Sequence, residues 1–134
     1  MLVAAGVFTA YAYLTITMAI PLIRRMVPPN RAFGFPTKAT FADEWVWYEA
    51  NEASGRDLLY LAAAQLATVF VPLGFLRPAS WTGLNIDRAV VVYMALNLGV
   101  YILGLLILCV IGYVRANRLL RERIATGATL KPKR

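Results

Sequence analysis

Three apolar blocks, at residues 2–23, 58–76 and 89–114, decide what this chain can fold into. None of them contains Asp, Glu, Lys or Arg. At 1.5 Å per residue the first block makes a helix of about 33 Å, enough to cross a hydrocarbon core of about 30 Å. The second is slightly short, and the third is long enough to tilt or to run past the bilayer. The interior polar groups are Thr9, Thr15, Thr17, Gln65, Thr68 and Asn97. The expectation is one all-α membrane domain over residues 1–134, with three transmembrane helices. A cleaved signal peptide would carry basic residues before its apolar run, whereas Arg24 and Arg25 follow it, so the first block reads as a retained span.

The polar chemistry gathers between the first two blocks, in residues 28–56. This stretch holds Asn30, Asp43, Glu44, Glu49, Asn51 and Glu52, and two of the three tryptophans. Pro28 and Pro29 stop the first helix. Gly34, Pro36, Thr37 and Thr40 mark an ordered loop over residues 30–40. Thr40 is placed to cap a helix over 41–54, with Asp43 and Glu44 in its first turn. On that helix Phe41, Trp45 and Tyr48 form one stripe, and Trp47, Asn51 and Gly55 a second. Its aromatic content predicts a cytoplasmic, interfacial amphipathic helix at headgroup depth. Residues 77–88 form a turn-rich connection with Trp81 as an interface anchor. Residues 115–134 form a basic tail, helical along the surface at first and disordered from 126.

The net charge is +7, and seven of the fourteen basic residues lie in that tail. The pattern fits anionic lipid headgroups at roughly 1 kcal/mol per basic residue; no nucleic-acid-binding pattern accompanies it. Arg24, Arg25, Arg31, Lys38, Arg56 and the tail outweigh Arg77 and Arg88, which puts the N-terminus outside and the C-terminus in the cytoplasm. The chain has no histidine, which removes imidazole metal ligands and proton relays. Its single cysteine, Cys109, sits in an apolar run and forms no intrachain disulfide. No catalytic residue, metal ligand set or cofactor motif is found. Asp43, Glu44, Glu49 and Glu52 lack calcium-loop spacing and read as charges offsetting the neighbouring arginines.

Two readings stand for each remaining polar feature. Asn30, Gly34 and Thr37 form either a binding loop or a structural turn. Trp47, Asn51 and Gly55 form either a recognition face or a packing face, with Gly55 ending the helix. Gln65 and Asn97 line a path or bond across helices. Small residues (Gly6, Ala10, Ala63, Ala67, Gly99, Gly104) suit contact with other helices.

The loop-helix stretch resembles the SdpI family of small bacterial membrane proteins. The family pattern has Pro-x-Asn, then Gly-x-Arg-Thr, then a helix reading Trp-x-x-x-Asn-x-x-x-Gly. The matching positions are Pro28, Asn30, Gly34, Thr37, Trp47, Asn51 and Gly55, with Thr40 in the linking segment. The family's arginine before threonine is Pro36 here, and Lys38 can replace its charge but not its bidentate fork. The resemblance implies a bacterial inner-membrane protein and makes those seven positions the candidate binding motif. The family's named member is an immunity protein against a secreted peptide toxin that also holds a repressor at the membrane. The first functional expectation is therefore a non-catalytic protein binding a peptide or partner through residues 28–55. The alternative is a small accessory subunit of a larger membrane complex.

Overall fold

A computed structural model describes residues 2–75 and 86–131. It contains four helices: α1 (Leu2–Ile23), α2 (Lys38–Ala42), α3 (Glu44–Phe75) and α4 (Ile86–Ala125). All regular structure among the described residues is helical. Two described stretches, Gly6–Ile23 in α1 and Val90–Ala125 in α4, are long and apolar enough to cross a membrane. The turn-rich connection expected before α4, with Trp81, lies largely outside the described residues.

α1 keeps its expected bounds but ends differently. Pro21 is tolerated inside its last turn. The helix then closes with Met26 N–H donating to the Pro21 carbonyl and Arg25 N–H to the Leu22 carbonyl. This is the double bond of a Schellman cap, in which the left-handed position normally falls to glycine. Here Arg25 takes it, at φ +55°, at a cost of about 1 kcal/mol.

The largest departure from expectation is at α3. The separate interfacial helix over 41–54 does not exist as such. Phe41 belongs to the short α2, and the chain from Glu44 runs as one helix through Gly55 to Phe75. Gly55 ends nothing: a Cβ there would stand 3.0 Å from the Ala19 carbonyl oxygen and 2.8 Å from Ile23. Its role is close approach of α1 to α3. Ala12, Ala19 and Ala62 are fully buried, so small residues set this helix contact. Gly6 and Gly99, read as contact positions, have open space around them.

α1 and α4 meet at the end away from Arg24, Arg25 and the basic tail. Phe8 packs edge-on against Tyr93, Tyr11 lies by Tyr101, and Thr15 shares a hydrogen bond with Tyr101. α3 joins α4 there through Thr68, whose hydroxyl is 2.7 Å from Asn97 Oδ1, and Tyr93 donates to the Thr68 carbonyl. Asn97 thus bonds across helices. Gln65 is buried, and its Nε2 has no partner among the described residues.

With 32 and 40 residues, α3 and α4 are about 48 and 60 Å long, beyond a hydrocarbon core of about 30 Å. Their charged ends, acidic on α3 and basic on α4, form a small cap with α2. Ala39, Ala50 and Ala116 make its core, with Leu119 and Leu120 packed against it. Asp43 organises the cap. It is the residue between α2 and α3, in extended conformation, and Oδ1 accepts from Trp45 N–H and Val46 N–H. It therefore caps α3 itself rather than sitting in the first turn, and Thr37, not Thr40, caps α2 in a reciprocal pair with Thr40.

The tail is not wholly disordered after 125. Lys131 N–H donates to Asp43 Oδ2 at 3.0 Å, and Glu44 N–H donates to the Lys131 carbonyl at 3.2 Å. Arg123 lies over the Trp45 ring and 3.6 Å from Asp43, an ion pair too long for a hydrogen bond. Asp43 is 1% exposed. Removing its carboxylate deprives α3 of its cap and the tail of its anchor. Asp43→Ala is expected to lower stability by about 1–3 kcal/mol and to speed tryptic cleavage after Arg123, both measurable in detergent.

Candidate functional site

The motif residues meet where the loop between α1 and α2 lies on the first turns of α3. The loop begins as a turn made by Asn30. Its Oδ1 accepts from Ala32 N–H (2.9 Å) and Phe33 N–H (2.7 Å), and its Nδ2 donates to the Pro28 carbonyl. This is an Asn folding its own loop, as its short amide side chain allows. Gly34 follows at φ +103°, a conformation that side chains rarely adopt. The turn delivers the Phe35 N–H to Asn51 Oδ1 at 2.7 Å.

Asn51 is the opposite half of the clip. It is 2% exposed, and its Nδ2 donates to the Trp47 carbonyl one turn earlier. That bond fixes the amide so that the oxygen faces the loop. Trp47 is fully buried and its Nε1 donates to the Val27 carbonyl at 2.8 Å. The indole thus holds the loop's start while Asn51 holds its middle. Gly34 is pinched between them: a Cβ would stand 2.6 Å from Asn51 Oδ1 and 3.1 Å from Trp47 Cζ2. The ring of Phe41 packs by Trp47 at 5.5 Å.

Seven sequence positions therefore divide four ways. Gly34, Trp47 and Asn51 form one contact. Pro28 and Asn30 shape the turn that feeds it, and Thr37 starts α2. Gly55 faces α1 instead. Charged neighbours brace the same frame. Arg25 donates from Nε to Glu52 (2.7 Å) and from Nη2 to Glu49 (2.5 Å), and Arg56 pairs with Glu52. The Glu52 hydrogen bond, then that of Glu49, raises the Arg25 pKa. A raised pKa contributes stability below the unfolded value that is lost only on rising through the folded one. For arginine this window lies above all ordinary pH, so Arg25 keeps its charge. Asp57 pairs with Arg115 at 2.6 Å, linking α3 to α4.

Between the clipped loop and α2 lies an open groove of about 860 Å³, lined by Pro29, Arg31, Pro36, Thr37, Lys38 and Phe41. Arg31 and Lys38 are exposed and have no carboxylate within ion-pair distance among the described residues. Sequence reasoning singled out the motif and set the glutamates against the neighbouring arginines, as Arg25 does with Glu49 and Glu52, but missed this groove and Phe35. Arg31 carried no spacing signal, and Phe35 is marked only by the glycine before it. No group of three metal-ligating side chains occurs among the described residues.

The family model described as the SdpI/YfhL protein family matches residues 26–115, which include the loop, α2, α3 and most of α4. No curated protein and no solved structure matches the chain.

Gly34 and Asn51 are in contact, so their substitutions must couple. Gly34→Ala is expected to cost about 1–3 kcal/mol in strain and overlap, and Asn51→Ala about the same by orphaning the Phe35 N–H. The double variant should cost less than the sum, since removing the amide also removes the clash. Unfolding of the four proteins of this cycle in detergent measures the difference.

Proposed function

The chain belongs to the SdpI/YfhL protein family, and on that premise we propose that this membrane protein is non-catalytic and binds a peptide in the groove between its clipped loop and α2. The observation that carries the reading is the pairing of rigidity with unmatched charge. Asn30, Gly34, Trp47 and Asn51 lock the loop, while Arg31 and Lys38 stand in the groove without carboxylate partners. Preorganised walls lower the ordering cost of binding. Unpaired cations give the groove affinity for an acidic or carboxylate-bearing segment. Phe41 and the two prolines supply apolar contact beside them. Position 36, where the family pattern carries arginine, also lines the groove. Proline there leaves Lys38 and Arg31 as its cations.

The membrane frame of this proposal has three spans, α1, the later part of α3 and α4. Its groove, cap and tail face the cytoplasm of a bacterial inner membrane. The excess of arginine and lysine at that end supports the orientation. In this reading, protection against a peptide toxin, or sensing of it, is exerted through the groove.

The buried positions Trp47 and Asn51 make poor probes of binding, since their loss perturbs the fold. The exposed cations make good ones. Arg31→Glu with Lys38→Glu is expected to abolish protection of a deletion strain challenged with the peptide toxin, with membrane levels unchanged. Retained protection at equal levels would contradict the proposal.

A further inference from the structure

A second site, lined by different residues from the groove, lies on the membrane side of the clip. α1 and α4 touch near Phe8–Tyr93 and Thr15–Tyr101 and diverge toward the arginine-rich end. The gap leaves a cavity of about 180 Å³ walled by Leu22, Phe35, Ser54, Leu58, Leu105 and Leu108. Phe35 closes its end: the ring comes within 3.1 Å of where a Cβ on Gly112 would be. Cys109 also lines it and is exposed. Its neighbours Leu106, Ile107 and Val110 on α4 are exposed too. The cavity thus opens sideways onto the surface that α4 turns to the bilayer.

One feature separates this cavity from an ordinary crevice between helices. Ser54 Oγ is buried and has no hydrogen-bond partner among the described residues. A serine in a helix can bond its own preceding turn, and this one does not. An orphaned hydroxyl in apolar surroundings is costly unless something meets it. The ion pairs of Glu52 with Arg25 and Arg56 lie close by on α3, and Leu58 lies one turn further along. Ser54 therefore stands at the boundary between charged cap and apolar helix, the depth at which lipid ester groups sit.

We propose that this cavity binds one acyl chain of a bilayer lipid, and that entry of the chain turns the Ser54 side chain so that Oγ, closed off by its surroundings here, donates a hydrogen bond to the ester carbonyl. The volume is close to that of a cavity that holds benzene, about 150 Å³, so it takes the first segment of one chain and excludes a whole lipid. The apolar walls suit the methylenes, and the lateral opening admits a chain from the bilayer without passage through water. Phe35 belongs both to this wall and to the clip, so the bound chain and the loop share a side chain.

The test uses the full-length protein, delipidated in detergent and titrated with phosphatidylcholine or with its ether-linked analogue, which lacks the ester carbonyls. Native mass spectrometry reads the first bound lipid. The expected result is a first lipid that favours the ester form several-fold. Ser54→Ala, which removes one oxygen and keeps the cavity, should bring the two lipids level. Ser54→Leu, which narrows the cavity and removes its hydroxyl, should weaken the high-affinity step and remove the preference for the ester form, with helix content by circular dichroism unchanged. Wild-type protein that binds both lipids alike, or Ser54→Leu protein that keeps the preference for the ester form, would overturn the proposal.

Discussion

A single side-chain amide, that of Asn51, ties this structure together. It sits inside a helix whose own backbone bonds are complete, so its oxygen is free to serve a different segment. It gives that oxygen to the Phe35 N–H, a group the loop has no internal way to satisfy. The contact works only because Gly34 has no side chain, because Asn30 folds the approach, and because Trp47 pins the segment at Val27. Each of these residues would be unremarkable alone. Together they convert a proline-rich loop of the kind usually mobile into a fixed wall. Both candidate binding surfaces use that wall, the groove on its outer side and the cavity on its inner side.

The continuity of α3 is the second consequence. A helix that passes from a polar cap into an apolar bundle without a break couples the two regions mechanically. Asn51 and Ser54 are less than one turn apart on it, and both line the cavity, Asn51 while also holding the loop. Arg25, held in a left-handed conformation at the end of α1, fastens α1 to the same turns through Glu49 and Glu52. Asp43 fastens the C-terminal segment to the helix start, 88 residues away in sequence. The arginine-rich end is thus tied at its loop, at α1 and at its tail.

The sequence disclosed the all-helical frame because apolar length is a direct physical requirement of a membrane. The bounds of α1 were legible for the same reason, and helical spacing put Trp47 and Asn51 on one face. What was not legible depended on distant partners. Gly55 looks like a helix end until the Ala19 carbonyl is seen against it. Thr40 looks like the cap of a helix over 41–54 until Asp43 is found to break the chain between α2 and α3. The anchored tail has no local signal at all, since Thr126 to Lys131 reads as polar linker and gains its order from Asp43. The groove cations, Arg31 and Lys38, were visible as charges but not as neighbours.

The central claim is that the loop is a fixed wall, and the most direct measurement is amide hydrogen exchange at Phe35 in protein reconstituted into lipid bilayers. If the Asn51 clip holds, this amide exchanges as slowly as those in the neighbouring turns of α3, while Arg31 and Lys38 exchange orders of magnitude faster. A Phe35 amide that exchanges as fast as Arg31 would mean the loop is not clipped, and both the groove and the cavity would lose the wall they share.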